Sequence, residues 1–110
     1  MTTLELGKLY TCQKHLLIYP TINAARGGLR AEIAVAEAHV AVDPAAACAV
    51  AANYWSRQLN CQITLSEPNE VFMVVDQKQI NDKVFYKILL REKLGWFIWK
   101  EWLGIHAINN

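Results

Sequence analysis

Three cysteines and three histidines are the residues of this chain best suited to covalent or metal chemistry, and their spacing decides what they can do. Cys12 and His15 stand three apart in CQKH, and a thiol beside an imidazole is the pairing that a zinc site or a thiol nucleophile requires. On a strand that odd separation sends the two side chains to opposite faces, so no metal and no cofactor is expected from them. Cys12, Cys48 and Cys61 are spaced 36 and 13 residues apart, unlike a disulfide framework or paired metal knuckles, and read as free thiols. Cys48 falls one turn into an expected helix, where the dipole would lower its pKa and favour a thiol-dependent enzyme. The same position lies on an apolar stripe, where a cysteine packs as an inert small hydrophobe. A nucleophile also needs a neighbouring base, and nothing in the spacing brings His15, His39 or His106 to it. Glu32 and Glu37 read as a solvated helix face. GxSxG, a phosphate-cradling glycine loop and HExxH are all missing from the sequence. The expectation is a chain that is not an enzyme.

Aromatic residues carry more information. In Trp96-Phe97-Ile98-Trp99 both faces of the expected strand are large and apolar, whereas a strand with one wet face alternates with polar residues. Something must cover the second face. One reading places the Cys48, Trp55 and Leu59 stripe over it as an intramolecular lid. The functional reading leaves Trp99 and Trp102 partly exposed with Tyr19, forming a groove for a protein or peptide partner or for a second copy of the chain. An alternative is a nucleic-acid surface, with Lys83 and Lys87 at the centre of a strip that also contains Lys78, Arg91, Lys93 and Lys100. Asp76, Asp82, Glu92 and Glu101 interrupt that strip, and eleven basic residues against ten acidic ones leave no surplus to track a phosphate backbone.

The elements that must position these groups change type along the chain. Residues 24 to 52 hold thirteen of the fourteen alanines, so a helix-favouring block interrupts flanks rich in Val, Ile, Tyr, Phe and Trp. Leu9 to Tyr19 reads as one or two short strands stopped by Pro20. Asn23 to Gly28 reads as a loop. Leu29, Ile33, Ala36 and Val40 recur at helical spacing, predicting a helix over 30 to 41, although IAVAEAHVAV also alternates like a strand. Asp43 as a capping carboxylate and Pro44 at the first helical position predict a second helix over about 44 to 59. Cys48, Ala52, Trp55 and Leu59 then share one buried face. Past Cys61 the period becomes two. Strands are expected at Gln62 to Ser66, Val71 to Val75, Val84 to Leu90, Trp96 to Trp99 and Ile105 to Ile108. A turn at Glu67 to Glu70, a polar loop QKQINDK, a hairpin connection at Arg91 to Gly95 and a single tight helical turn at Lys100 to Gly104 join them.

This order resembles Src homology 3-like barrels, especially their bacterial branch. The resemblance is carried by Phe85, Tyr86, Lys87 and Ile88, then Gly95, Trp96 and Ile98, then Trp102 and Leu103, and it covers residues 4 to 21 and 61 to 108. It implies a barrel of five or six short antiparallel strands, and the alanine-rich block adds an α-helical insertion at about 29–60, inside a first long loop that spans 22–60, so the expected chain is α+β. The chain departs from the family in lacking the tyrosine-rich opening motif and in the insertion itself. Residues 1 to 110 are expected to form one domain. No apolar run reaches the roughly 18 to 20 residues of a membrane span, and MTTLELGKLY has no export-signal pattern, so a cytosolic location is expected. The expected function is that of a non-catalytic interaction module.

Overall fold

A computed structural model describes residues 3–108. Its strands are β1 (Leu9–Cys12), β2 (Leu17–Ile18), β3 (Thr64–Leu65), β4 (Val71–Ile80), β5 (Lys83–Leu90), β6 (Lys93–Ile98) and β7 (Ile105–Ala107). Three helices fill the connection from β2 to β3: α1 (Ile22–Arg26), α2 (Leu29–Ala38) and α3 (Pro44–Gln58). A single 3-10 turn, Glu101–Leu103, precedes β7. The chain is thus α+β, with an antiparallel sheet in the order β6-β5-β4-β1-β7.

Local chemistry accounts for most of these boundaries. Asp43 accepts a hydrogen bond from the Ala46 amide at 3.2 Å and Pro44 opens α3, as the sequence predicts. The stretch expected as a loop is instead helical over Ile22–Arg26. The Thr21 hydroxyl caps it by accepting from the Ala24 amide at 3.1 Å, and two glycines end it. The helix expected over 30 to 41 forms as Leu29–Ala38, ending three residues early, and the segment is not extended, but the buried face differs from the expected one. Ala31, Val35 and Ala38 turn inward while Leu29, Ile33 and Val40 face water, because alanines let α2 and α3 pack closely.

The polar segment expected as a loop after Val75 is strand. The β4–β5 ladder continues through Gln77↔Tyr86 to Ile80↔Lys83, and only Asn81 and Asp82 form the turn. Gln77, Lys78 and Gln79 are polar because this tip runs toward water, and backbone pairing needs no apolar side chain. An irregularity between Val74 and Asp76 inserts one residue, which returns Asp76 to the face that carries Met73. The β5–β6 turn is Arg91-Glu92, with φ of 51° and 65° at the two residues. That left-handed pair matches the twist of a two-residue hairpin. Arg91 also grips Glu70 with both ends of its guanidinium fork.

The strand pairing is that of an open sheet, where a closed barrel was expected. β6 and β7 are its edges, and β2 pairs only with β3 apart from one bridge between Tyr19 and Trp96. Pro20 has no amide hydrogen and the chain turns away into α1, so the ladder from β2 to β6 stops after that bridge. Each face of the sheet has its own core. Tyr10, Phe72, Tyr86, Ile88 and Phe97 fill one side, with Phe97 against Phe72 and Tyr86 at 5.8 and 5.6 Å between ring centroids. On the other side Phe85, Trp96 and Ile98 pack with Tyr19, Cys48 and Ala52 beneath the helices, with Trp55 and Leu59 at the margin. The helical block is therefore the lid that β6 required. Each large apolar side chain it buries contributes about 1.5–3 kcal/mol.

Gly95 marks the tightest contact between β2 and β6. A Cβ there would stand 2.4 Å from Ile18 Cγ2 and 3.1 Å from the Tyr19 carbonyl oxygen. Gly95→Ala should destabilise the fold by about 1–3 kcal/mol through overpacking, read as a lower thermal midpoint by circular dichroism. An unchanged midpoint would show that this junction yields freely.

Candidate functional site

The three aromatics expected to share a groove occupy three different surroundings. Tyr19 is fully buried. Its backbone exchanges hydrogen bonds with Trp96 at 2.8 Å each way, and its ring lies directly under Gly28, where a Cβ would come within 2.4 Å of the hydroxyl oxygen. It is a core residue, because the insert closes over the end of β2. Trp99 is half-buried and packs on the interior core, edge to face with Tyr86 at 6.1 Å. Its indole N–H is buried without a partner among the described residues. Trp102, on the 3-10 turn, stays 44 % exposed.

Trp102 ends a short aromatic column that sequence reading did not anticipate. Its ring meets His39 at 5.6 Å, and His39 stacks on His15 at 5.7 Å. His39 Nε2 accepts the backbone N–H of His15 at 3.0 Å, which leaves the ring proton on Nδ1. His15 Nδ1 lies 2.8 Å from the Ser66 carbonyl oxygen, and the Ser66 hydroxyl accepts from the Leu16 amide at 2.8 Å. These bonds hold the C-terminal end of α2 against the segment between β1 and β2. Burial lowers the His39 pKa. The next residues form the tip between α2 and α3, where Val40 is 87 % exposed and Val42 fully so. Positions 15, 39 and 102 are too far apart in the chain for any local pattern to have flagged them.

Glu32, expected on a solvated face, is half-buried and accepts the Tyr19 hydroxyl at 2.6 Å. Burial pushes its carboxyl up to about 7, against the opposing pulls of the Tyr19 hydrogen bond and then of Lys100 and Lys83, and burial beside Glu32 pushes the Tyr19 phenol up as well. That acidity suits proton transfer, yet Glu32 lines neither of two concave sites among the described residues. One, of about 220 Å³, lies between Ile18–Pro20 and the β5–β6 turn, with Gln62, Thr64 and Leu94. The other, of about 180 Å³, lies between Arg26 and the β4–β5 turn and includes Asp82 and Lys83.

The remaining candidates are held by packing. Cys12 donates its thiol to the Leu103 carbonyl at 3.1 Å, and Cys48 is fully buried near Val35. Burial pushes all three thiols up, away from the thiolate that the helix dipole was expected to favour at Cys48. Among the described residues no three His, Cys, Asp or Glu side chains converge as a metal site. Lys83 and Lys87 point to the same face of β5, but Phe85 between them is sealed under the insert. Lys87 Nζ sits 5.9 Å from the Trp96 ring centroid. The basic strip is therefore broken. No helix among the described residues is long and apolar enough to cross a membrane.

Comparison with known proteins returns no match: no family model, no curated protein and no solved structure.

Glu32 and His39 link stability to pH in opposite directions. A carboxyl raised from 4.5 to about 7 on folding contributes fully below 4.5, and that contribution is lost as pH rises through 7. A histidine lowered from 6.5 contributes above that value and loses its contribution as pH falls. Glu32→Gln should melt increasingly above the parent chain as pH is raised from 5 to 8, a trend that thermal melts at several pH values would read. A melting difference that stays constant across that range would show that Glu32 does not titrate with folding.

Proposed function

We propose that this chain is a non-catalytic, cytosolic interaction module on a Src homology 3-like scaffold, docking a protein partner through Trp102 and the tip at Val40–Val42. The scaffold reading is supported by the sheet order β6-β5-β4-β1-β7 and by the single 3-10 turn immediately before the last strand. The insert fits the same reading, since it interrupts the first long connection and leaves the order of the flanking strands intact.

One observation carries the docking site. An indole, the side chain most often found as an interface anchor, stays 44 % exposed against His39, and two branched residues of the tip just beyond His39, Val40 and Val42, bury almost nothing in their own fold. Val40 and Val42 could have been polar at no cost to the core. His39 joins the two parts, since it touches the Trp102 ring on one side and precedes Val40 on the other. The column beneath, His39 on His15, keeps the site rigid, so little order need be gained on binding. Tyr19 and Trp99, buried or inward, support the fold and are not part of the surface.

Incorporating a photo-reactive phenylalanine derivative at Val42, in the cells from which the chain comes, tests this reading. Illumination should yield one or a few discrete adducts from Val42 and none from Asn53, an exposed position on α3. Trp102→Ala should reduce those adducts by about tenfold or more, the loss expected of an interface anchor, with a near-normal melting profile. Equal labelling from Asn53, or adducts indifferent to Trp102→Ala, would overturn the assignment.

A further inference from the structure

The insert covers only one end of the sheet face on which it sits. Side chains that point the same way as Phe85 and Trp96, but lie nearer the β5–β6 turn, have no helix over them. Strand register aligns four of them across the sheet: Leu9 pairs with Met73, Met73 with Leu89, and Leu89 with Leu94. Leu9 is 40 % exposed and Leu94 55 %, while Met73 and Leu89 between them are half-buried. Their sequence neighbours Tyr10, Phe72 and Ile88 occupy the interior core, so the row cannot turn inward without emptying it.

We propose that this open half-face packs against the same half-face of a second copy of the chain, giving an isologous dimer. The property lies beyond partner docking at Trp102 and uses a different surface. Two features select a second copy as the occupant. The row reads Leu, Met, Leu, Leu, nearly the same in either direction. A two-fold axis running along the strands between β4 and β5 therefore sets Leu9 against Leu94 of the other copy, and Met73 against its Leu89. The same axis exchanges Asp76 with Lys87, which are cross-strand neighbours on that face. Each carboxylate then meets the other copy's ammonium group, and the self-contact is complementary in charge. The ion pairs among the described residues are Lys8–Glu5 and Glu70–Arg91, so neither Asp76 nor Lys87 is held in a salt bridge within its own chain, although Asp76 accepts the Gln77 amide at 2.8 Å and Lys87 lies over the Trp96 ring.

Shape and long-range charge agree with this contact. β1 pairs with β4 only over Val71–Met73, so no strand lies beside β4 between Asp76 and Ile80, which in the proposed dimer leaves room for the other copy's insert. Two sheets stacked about 10 Å apart and within about 30° of alignment bring the rows together. A net charge of +1 per chain imposes little repulsion on the approach.

Sedimentation equilibrium of the full chain from micromolar to submillimolar concentration tests the proposal. The parent chain should reach twice the 12.5 kDa chain mass. Leu94→Glu should read as a monomer with an unchanged circular-dichroism spectrum, because that side chain is largely exposed. Asp76→Lys alone should weaken association by about tenfold or more, and Asp76→Lys with Lys87→Asp should restore it to within about threefold. Ile33→Glu, on the exposed face of α2, should leave the mass unchanged. Should Asp76→Lys lose its fold, Lys87→Asp takes its place in the comparison. A parent chain monomeric throughout, a Leu94→Glu chain that still dimerises, a paired reversal no better than the single one, or dissociation by Ile33→Glu would each overturn the dimer.

Discussion

A strand whose two faces are both apolar cannot meet water on either side, and β6 imposes that condition on everything around it. Phe97 faces one core while Trp96 and Ile98 face another. The first core is supplied by the sheet itself, through alternate residues of β1, β4 and β5. The second takes Phe85, Trp96 and Ile98 from the opposite face, with Leu17 and Leu65 from β2 and β3. It is closed by the helices between β2 and β3, whose inward faces are mainly alanine and cysteine because the large side chains already come from the sheet and Tyr19. Gly95 and Gly28 are the points where these layers come closest. The insert is thus part of the domain's interior and not an ornament on a loop.

The cover is partial, and its limits define the available surfaces. Where the helices end on one side, the tip and Trp102 carry exposed apolar groups above a histidine stack. Where they end on the other, the row from Leu9 to Leu94 is left open across four strands. Both surfaces are margins of the same lid. The chain places valines at one and leucines at the other. Contiguous apolar surface of that kind is the usual mark of an interface.

The buried polar groups obey the same geometry. Closing the insert over β2 drives Tyr19 into the core, and its hydroxyl then needs an acceptor, which Glu32 provides at 2.6 Å. Anchoring α2 to the β1–β2 segment takes an acceptor for the His15 amide, which His39 provides. Each solution places an ionisable group where its charged form is disfavoured, the acid raised and the base lowered. The perturbed acidities are explained by closing the lid, with no reaction required.

Local order was legible in the residues because local rules created it. Asp43-Pro44 starts α3, Cys48, Ala52, Trp55 and Leu59 form its buried face, and Val84, Tyr86, Ile88 and Leu90 share the inner face of β5. The double-faced Trp96–Trp99 segment by itself required a cover. Four outcomes were decided only by the tertiary structure. α2 buries its alanines and exposes Leu29 and Ile33, since a neighbouring helix rewards close approach over side-chain size. Gln77–Ile80 is strand because β5 offers a ladder that composition does not record. Tyr19 is core because a helix lands on it. Trp102, His39 and His15 form a column across separations of 24 and 63 residues. Sequence periodicity reports which faces are apolar within one element, and the pairing of faces between elements depends on shape complementarity over distances that no local pattern encodes.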